Sequence, residues 1–177
     1  MSKILIAYST VDGHTRKISE RIQTRLAAAG HVADLDEIRN DSTIDIAPYD
    51  SVVIGASIRY GKHRPGVFDF IDQRRAQLER KPSAFFTVNV VARKPGRDTP
   101  ETNSYLQKFL AQSRWTPGLL GVFAGKIDYA RYRTLDRLMI RFIMWMTKGP
   151  TDPATCIEFT DWAAVDRFAD AVAGLNA

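Results

Sequence analysis

Cysteine is nearly missing from this 177-residue chain: Cys156 is the one thiol, and only three histidines accompany it. A lone cysteine excludes an internal disulfide and fits a reducing compartment such as the cytoplasm. It falls in a short apolar segment, which predicts a strand and an inert buried thiol. His14, His31 and His63 lack metal-ligand spacing, so no metal site is expected. Long apolar runs are missing too. Crossing a bilayer takes about 20 consecutive apolar residues, and no stretch approaches that. Met1-Ser2-Lys3 leads straight into an apolar segment, which gives no sign of a secretory leader. Acid is scarcer than base: 20 Asp and Glu face 25 Lys and Arg, for a formal net charge of +5 and a pI near 9.5. That balance excludes a strongly acidic docking surface. No nucleic-acid motif accompanies the cations, so nucleic acid is not an expected partner.

What remains is an ordinary globular composition, 45% apolar, of a length that suggests one domain over residues 1–177. Strand and helix patterns alternate. Ile4–Ser9, His31–Leu35, Ser51–Ala56, Ala84–Val91 and Leu119–Ala124 read as strands, and Cys156–Phe159 as a further one. Thr15–Ala29 is helical, with Ile18, Ile22 and Leu26 on one stripe and Gly30 ending it. Gly66–Lys81 turns Val67, Phe70, Ile71 and Leu78 inward; Thr102–Arg114 and Asp161–Leu175 complete the set, the last capped by Asp161. This predicts an α/β fold: a doubly wound, five-stranded parallel sheet covered on both faces.

In such sheets ligands bind beyond the carboxyl ends of the strands. Three loops lie there. The first, Ser9-Thr10-Val11-Asp12-Gly13-His14-Thr15, joins a strand to a helix and is rich in hydroxyls and backbone amides. Unpaired amides and the helix dipole favour a phosphate at that point. Neither Gly-Lys-Ser/Thr nor G-x-G-x-x-G is present, so neither a nucleoside triphosphate nor a dinucleotide is indicated. The loop suits the monophosphate of flavin mononucleotide (FMN); an ordinary capped turn is the plainer reading. The second loop runs Ser57-Ile58-Arg59-Tyr60-Gly61-Lys62-His63-Arg64, and the third Asn89-Val90-Val91-Ala92-Arg93-Lys94-Pro95-Gly96-Arg97. Tyr60 suits stacking on a flavin ring, Gly61 a peptide turned toward it, and Asn89 a hydrogen bond to its edge. Six cations in the second and third loops, Arg59, Lys62, Arg64, Arg93, Lys94 and Arg97, favour an anionic ligand or partner. His63 is either a general base or an exposed loop histidine.

Residues 125–150 form a basic helical insertion, expected to interrupt strand five. Six cations against two acids between Gly125 and Lys148 hold +4 of the net +5. On a helical wheel Arg133, Arg137, Arg141 and Lys148 share one face, opposite Leu135, Leu138, Met139, Phe142 and Met146. Such a helix fits an anionic membrane surface or a groove for an apolar ligand. Packing of the stripe on the body of the domain fits equally.

The phosphate loop, Val53-Ile54-Gly55-Ala56-Ser57-Ile58-Arg59-Tyr60-Gly61, Ser83-Ala84-Phe85-Phe86-Thr87-Val88-Asn89-Val90-Val91-Ala92-Arg93-Lys94-Pro95, the Tyr129–Met146 stretch and Phe159-Thr160-Asp161-Trp162 together resemble the bacterial, flavodoxin-like, menaquinone-dependent protoporphyrinogen IX oxidases. The resemblance spans nearly the whole chain. His14 departs from it, since the family often carries Gln there. It implies FMN bound by Ser9–Thr15, Ser57–Gly61 and Asn89–Arg93. It also implies oxidation of protoporphyrinogen IX to protoporphyrin IX in heme biosynthesis, with electrons passed to menaquinone or ubiquinone. The protein would be cytoplasmic and peripheral to the inner face of the membrane. Arg59, Arg93 and Lys94 are the candidates for the substrate's propionates. A flavodoxin-type electron carrier and an NAD(P)H:quinone reductase are the rival readings.

Overall fold

The computed structural model describes residues 1–39, 43–131, 134–146 and 149–175; Arg133 and Lys148, counted above on the basic face, lie outside them. Five parallel strands form the sheet: β1 (Lys3–Ser9), β2 (Val32–Glu37), β3 (Ser51–Ser57), β4 (Ser83–Asn89) and β5 (Leu119–Ala124), in the order β2-β1-β3-β4-β5. β1, β3 and β4 lie inside the sheet. Their continuous apolar runs are what two covered faces demand. Register is parallel throughout, with Ile6 opposite Val53 and Val53 opposite Ala84.

The helices divide between the faces. α1 (His14–Ala28) and α5 (Trp162–Gly174) cover one. Ile18, Ile22 and Leu26 are fully buried there against Ile4, Ile6, Phe86 and Phe168. α2 (Pro65–Leu78) and α3 (Ser104–Ser113) cover the other, where Val67, Phe70, Ile71 and Leu78 pack as the sequence pattern expects. Each large side chain so buried is worth roughly 1.5–3 kcal/mol. Gly55 in β3 is required by packing: a Cβ there would sit 2.2 Å from the ring of Phe86.

The ends of the elements differ from the sequence pattern in two places that matter. β4 stops at Asn89, and Val90–Arg93 winds into a 3-10 turn. The cause is local: the Asn89 side chain accepts from the Ala92 amide at 3.0 Å and caps that turn. β5 is a complete strand and is not interrupted; the insertion leaves from its carboxyl end. Lys126–Asp128 (β6) turns out of the sheet and pairs antiparallel with Cys156–Glu158 (β7). The chain returns where it left, with the Phe159 amide on the Gly125 carbonyl at 3.1 Å and the Thr160 hydroxyl on the Ala124 carbonyl at 2.7 Å. Cys156 is therefore an exposed thiol in a two-stranded flap, correcting the expectation of a buried one.

α4 (Thr134–Met146) decides between the two readings of the apolar stripe. Its apolar stripe faces outward: Leu135, Leu138, Met139, Phe142, Trp145 and Met146 are all exposed, Leu135 by 80%. The opposite side, with Ile140, Ile143 and buried Met144, packs on Ile127 and Tyr129 as a small separate core. Arg137 and Arg141 are half-buried on that inner side, and the Arg137 Nε donates to the Tyr129 carbonyl at 3.1 Å. Of the two readings left open by the sequence, packing of this stripe on the body of the domain is the one the structure does not bear out.

Candidate functional site

A cavity opens at the carboxyl ends of β1, β3, β4 and β5, where the sheet rule places ligands. Its wall from the first loop is Thr10, Val11, Asp12, His14 and Thr15. Gly13 adopts φ 82, a left-handed turn that glycine makes without strain, and its amide donates to Thr10 Oγ1 at 3.0 Å. No side chain caps the start of α1, and its first turn holds no acid. The first amides of a helix have no partner within it, and His14 and Thr15 at this end line the cavity.

Two buried hydroxyls in the lining, Thr15 Oγ1 and Ser57 Oγ, have no hydrogen-bond partner among the described residues. An unsatisfied buried polar atom costs about 1–3 kcal/mol, and a ligand with acceptor oxygens removes that cost. The donor set thus fits a phosphate-bearing cofactor.

His14 stands at the mouth of α1. The Thr160 hydroxyl already donates to the Ala124 carbonyl, so at 2.6 Å the His14 Nε2 must carry the proton toward Thr160 Oγ1. Nδ1 is left as an acceptor. Burial pushes this imidazole below its ordinary pKa, with Glu158 opposing the shift.

The second loop is a tight hairpin. Arg59 and Lys62 exchange backbone hydrogen bonds at 2.9 and 3.1 Å around Tyr60 and Gly61, which take φ 50 and φ 75. Both central residues at positive φ make a type I′ turn. For tyrosine this is a costly conformation, and such strain gathers at ligand clamps. It holds the Tyr60 ring half exposed at the rim, with the Arg59 guanidinium 5.2 Å from its centroid. Arg59 also pairs with Asp12 at 2.8 Å, and Arg64 donates to the Thr10 carbonyl at 3.1 Å. The two arginines hold the second loop against the first.

The third loop contributes Asn89, Val90 and Val91. Asn89 lines the cavity, but its amide is engaged in structure: it caps the 3-10 turn and meets Asn103, buried beneath it, at 3.4 Å. Ala92, Arg93 and Lys94 do not line the cavity, and neither do Ser9 or Gly13. Arg93 is carried by the 3-10 turn back toward the insertion. There it donates to the Val90 carbonyl at 2.9 Å, lies 5.9 Å from the Phe159 ring, and has its pKa lowered by burial. Sequence reasoning missed Tyr105 of α3, which lines the cavity, and the roof made by Lys126, Asp128, Ile140, Ile143 and Met144. Lys126 and Asp128 directly follow β5, so the strand-end rule applied to that strand would have found them. They pair at 3.1 Å, which raises the Lys126 pKa.

His63 is neither exposed nor in this cavity. It is 8% exposed, bonded to Thr87 Oγ1 at 3.0 Å and ringed by Phe68, Phe85 and Phe109. Burial pulls its pKa down to about 4.

A family model described as a flavodoxin domain matches residues 5–154. The chain is 46% identical over 174 residues to a protoporphyrinogen IX dehydrogenase (quinone) of Leishmania major, covering 98% of this chain and 75% of that protein. It is 44% identical over 174 residues to the protoporphyrinogen IX dehydrogenase (quinone) of Escherichia coli (strain K12), covering 98% and 96%. Among solved structures, a short-chain flavodoxin associated with a non-canonical PDU bacterial microcompartment superposes with a TM-score of 0.58 at 14% identity over the whole of both chains. That last likeness speaks for the fold alone.

Proposed function

The chain belongs to the flavodoxin domain family, alongside the protoporphyrinogen IX dehydrogenases (quinone), and from that premise we propose that it oxidises protoporphyrinogen IX to protoporphyrin IX with FMN and delivers the electrons to a quinone. The observation that carries this reading is the extent of the likeness: 174 of 177 residues align, so the insertion as well as the phosphate loop is shared with the named enzymes. Simple flavodoxin carriers share the fold at far lower identity.

The residues divide the work as follows. The Thr10–Thr15 loop, the open amides of α1 and the Thr15 and Ser57 hydroxyls would hold the cofactor phosphate and ribityl oxygens. Tyr60, Gly61 and Asn89–Val91 would border its ring. FMN, when bound, supplies two-electron redox chemistry, and the six-electron conversion therefore takes three rounds. Arg59 and Lys126, the cations that line the cavity, are better placed than Arg93 or Lys94 for the propionates of the substrate. Ile140, Ile143 and Met144 offer the macrocycle an apolar roof and exclude water.

The cavity beneath α4 measures 140 Å³, against roughly 300–1,000 Å³ for sites that enclose drug-sized ligands. Binding therefore requires α4 to stand farther from Tyr60 and Tyr105. Its outer stripe touches no core, so what that movement must break is the inner seat on Ile127 and Tyr129 and the Arg137–Tyr129 hydrogen bond. The same stripe suits the acyl boundary of a membrane, where a quinone is dissolved. Among the described residues no helix is long and apolar enough to cross a membrane, so contact would be peripheral. Because Arg137 and Arg141 turn inward, apolar burial rather than attraction to anionic lipid would dominate.

The test is spectroscopic. Purified protein should release FMN on heating. Its bleached flavin should appear on anaerobic addition of protoporphyrinogen IX and return with a naphthoquinone. Bleaching by NADH or NADPH but not by porphyrinogen would assign the chain to the reductases of this fold.

A further inference from the structure

His14 is the first residue of α1 and lines the cavity beside Thr15. A two-step chain of hydrogen bonds fixes its tautomer. The Ala124 carbonyl can only accept, so the Thr160 hydroxyl commits its single proton there, at 2.7 Å. Toward His14 the same oxygen can then only accept, and Nε2 lies 2.6 Å from it. Nε2 therefore carries a proton whether the ring is neutral or charged. Nδ1 makes no hydrogen bond among the described residues. In the neutral ring it is a bare lone pair.

That tautomer is the wrong one for an anion. A neutral ring with its proton on Nε2 offers a phosphate oxygen only a second lone pair. The anion site itself does not rest on the helix end alone, since Thr15 Oγ1, in a residue 1% exposed, lies in the same lining with no partner among the described residues. Local charge is short of what a phosphate needs. From Ser9 to Thr15 the loop holds no Lys or Arg and one acid, Asp12. Nearby, Arg59 pairs with Asp12 at 2.8 Å and Arg64 donates to the Thr10 carbonyl at 3.1 Å.

The groups facing the ring come from four elements. Lys17 of α1 pairs with Glu158 of β7 at 2.8 Å, and Lys126 of β6 pairs with Asp128 at 3.1 Å. Trp162 of α5 stands edge-on at 6.2 Å and donates its indole N–H to Glu158 at 2.7 Å. Burial is the largest influence and disfavours the charged ring; Glu158 favours it, and Lys17 and Lys126 oppose it. Without a ligand the imidazole is thus mainly neutral at pH 7. A phosphate carries about 1.5 to 2 negative charges at that pH, and an anion beside the ring favours its charged form.

We propose that the cofactor phosphate binds together with a proton, which His14 takes up at Nδ1, so that the imidazolium donates to the phosphate from Nδ1 and to Thr160 from Nε2. The inference rests on the proposed FMN site and adds that its occupancy responds to pH through one residue. Glutamine at this place would donate an N–H without taking up a proton.

The test is titration calorimetry of the flavin-free full chain with FMN, in phosphate-free buffers of different ionisation heat, at pH 6, 7 and 8. The buffer dependence gives the protons taken up per FMN. The FMN phosphate itself titrates near about pH 6. His14→Gln retains that contribution, so the difference between the two proteins reports the imidazole. The wild-type chain should take up more protons than His14→Gln at pH 7. Its affinity should gain on the variant by up to about tenfold per pH unit as pH falls. Riboflavin, which lacks the phosphate, should show no such difference. Nitrogen-15 spectra of histidine-labelled protein give a readout without a variant: both His14 nitrogens should carry protons at pH 7 with FMN bound, and Nε2 alone without it. Equal proton uptake by the two proteins, a difference that persists with riboflavin, or an unprotonated Nδ1 in the FMN complex would overturn the proposal. A chain that binds neither flavin refutes the FMN reading and this proposal with it. A chain that binds FMN with no proton linked to His14 refutes only this proposal.

Discussion

His63 and Thr15 show how single buried groups tie stability and binding together. His63 is held neutral by burial, with its pKa near 4 against 6.5 in the unfolded chain. The unfolded state therefore binds a proton more readily below pH 6.5. Its contribution is present in full above that value and is lost as pH falls from 6.5 toward 4, amounting to about 3 kcal/mol in the limit. Urea midpoints measured from pH 7 to pH 4.5 should fall, and His63→Phe should flatten that slope. A slope unchanged by the substitution would move the effect to other groups. Thr15 raises the opposite issue, a hydroxyl buried without a partner among the described residues. Thr15→Val should leave the protein equally or more stable without ligand, because an orphaned oxygen is removed. FMN affinity should drop by about ten- to a hundredfold, as expected for one hydrogen bond to a charged acceptor. Thermal melts with and without FMN would separate the two effects.

At the scale of elements, β3 and α4 answer to different constraints. Gly55 lets β3 pass under the Phe86 ring, and an alanine methyl would enter it at 2.2–2.8 Å. Ala normally improves a strand over Gly. Here Gly55→Ala should instead destabilise by roughly 1–3 kcal/mol through overpacking, read as a lower denaturant midpoint at unchanged slope. α4 is constrained on one side only. Replacing Leu138, Phe142 and Trp145 together by Ser should leave thermal stability within a few degrees, since all three are exposed. Sedimentation with phosphatidylcholine vesicles should fall at least tenfold, and added salt should matter less than these substitutions do. Vesicle binding that depends on salt and ignores the triple variant would return the role to the cations. The wheel for this helix was legible from residue spacing alone. Its orientation was not: a wheel identifies two faces and says nothing about which meets the protein. That was settled by Ile127 and Tyr129, which form a small apolar seat for Ile140, Ile143 and Met144.

For the molecule as a whole, the insertion is an appendage on a complete sheet. Both large cores lie on the two faces of β1–β5, and the small third core lies within the insertion and its contacts. The Phe159 amide already meets the Gly125 carbonyl. Replacing residues 126–158 by a short Gly/Ser turn should therefore leave a cooperatively folding protein that still binds FMN through the α1 loop. It should lose Lys126, the apolar roof and the exposed stripe, and with them porphyrinogen turnover. Failure to fold, seen as lost near-ultraviolet circular dichroism, would make the insertion part of the main core.

Strand–helix alternation, the buried stripes of α1 and α2, the Gly30 stop and the turn between β1 and α1 followed from the sequence itself, because each depends on residues within a turn or two of one another. Other features were decided only by tertiary structure. Asn89 caps a turn above Asn103, fourteen residues on. Arg93 leaves the cavity because Phe159 and the insertion lie beside its turn. His63, a polar loop residue by its neighbours, is buried because Phe85 and Phe109 close over it from another strand and helix. Cys156, apolar by its context, is exposed because its strand pairs in a flap outside the sheet. Local spacing determines which surfaces a segment owns. Contacts between segments distant in the chain determine which of those surfaces are covered.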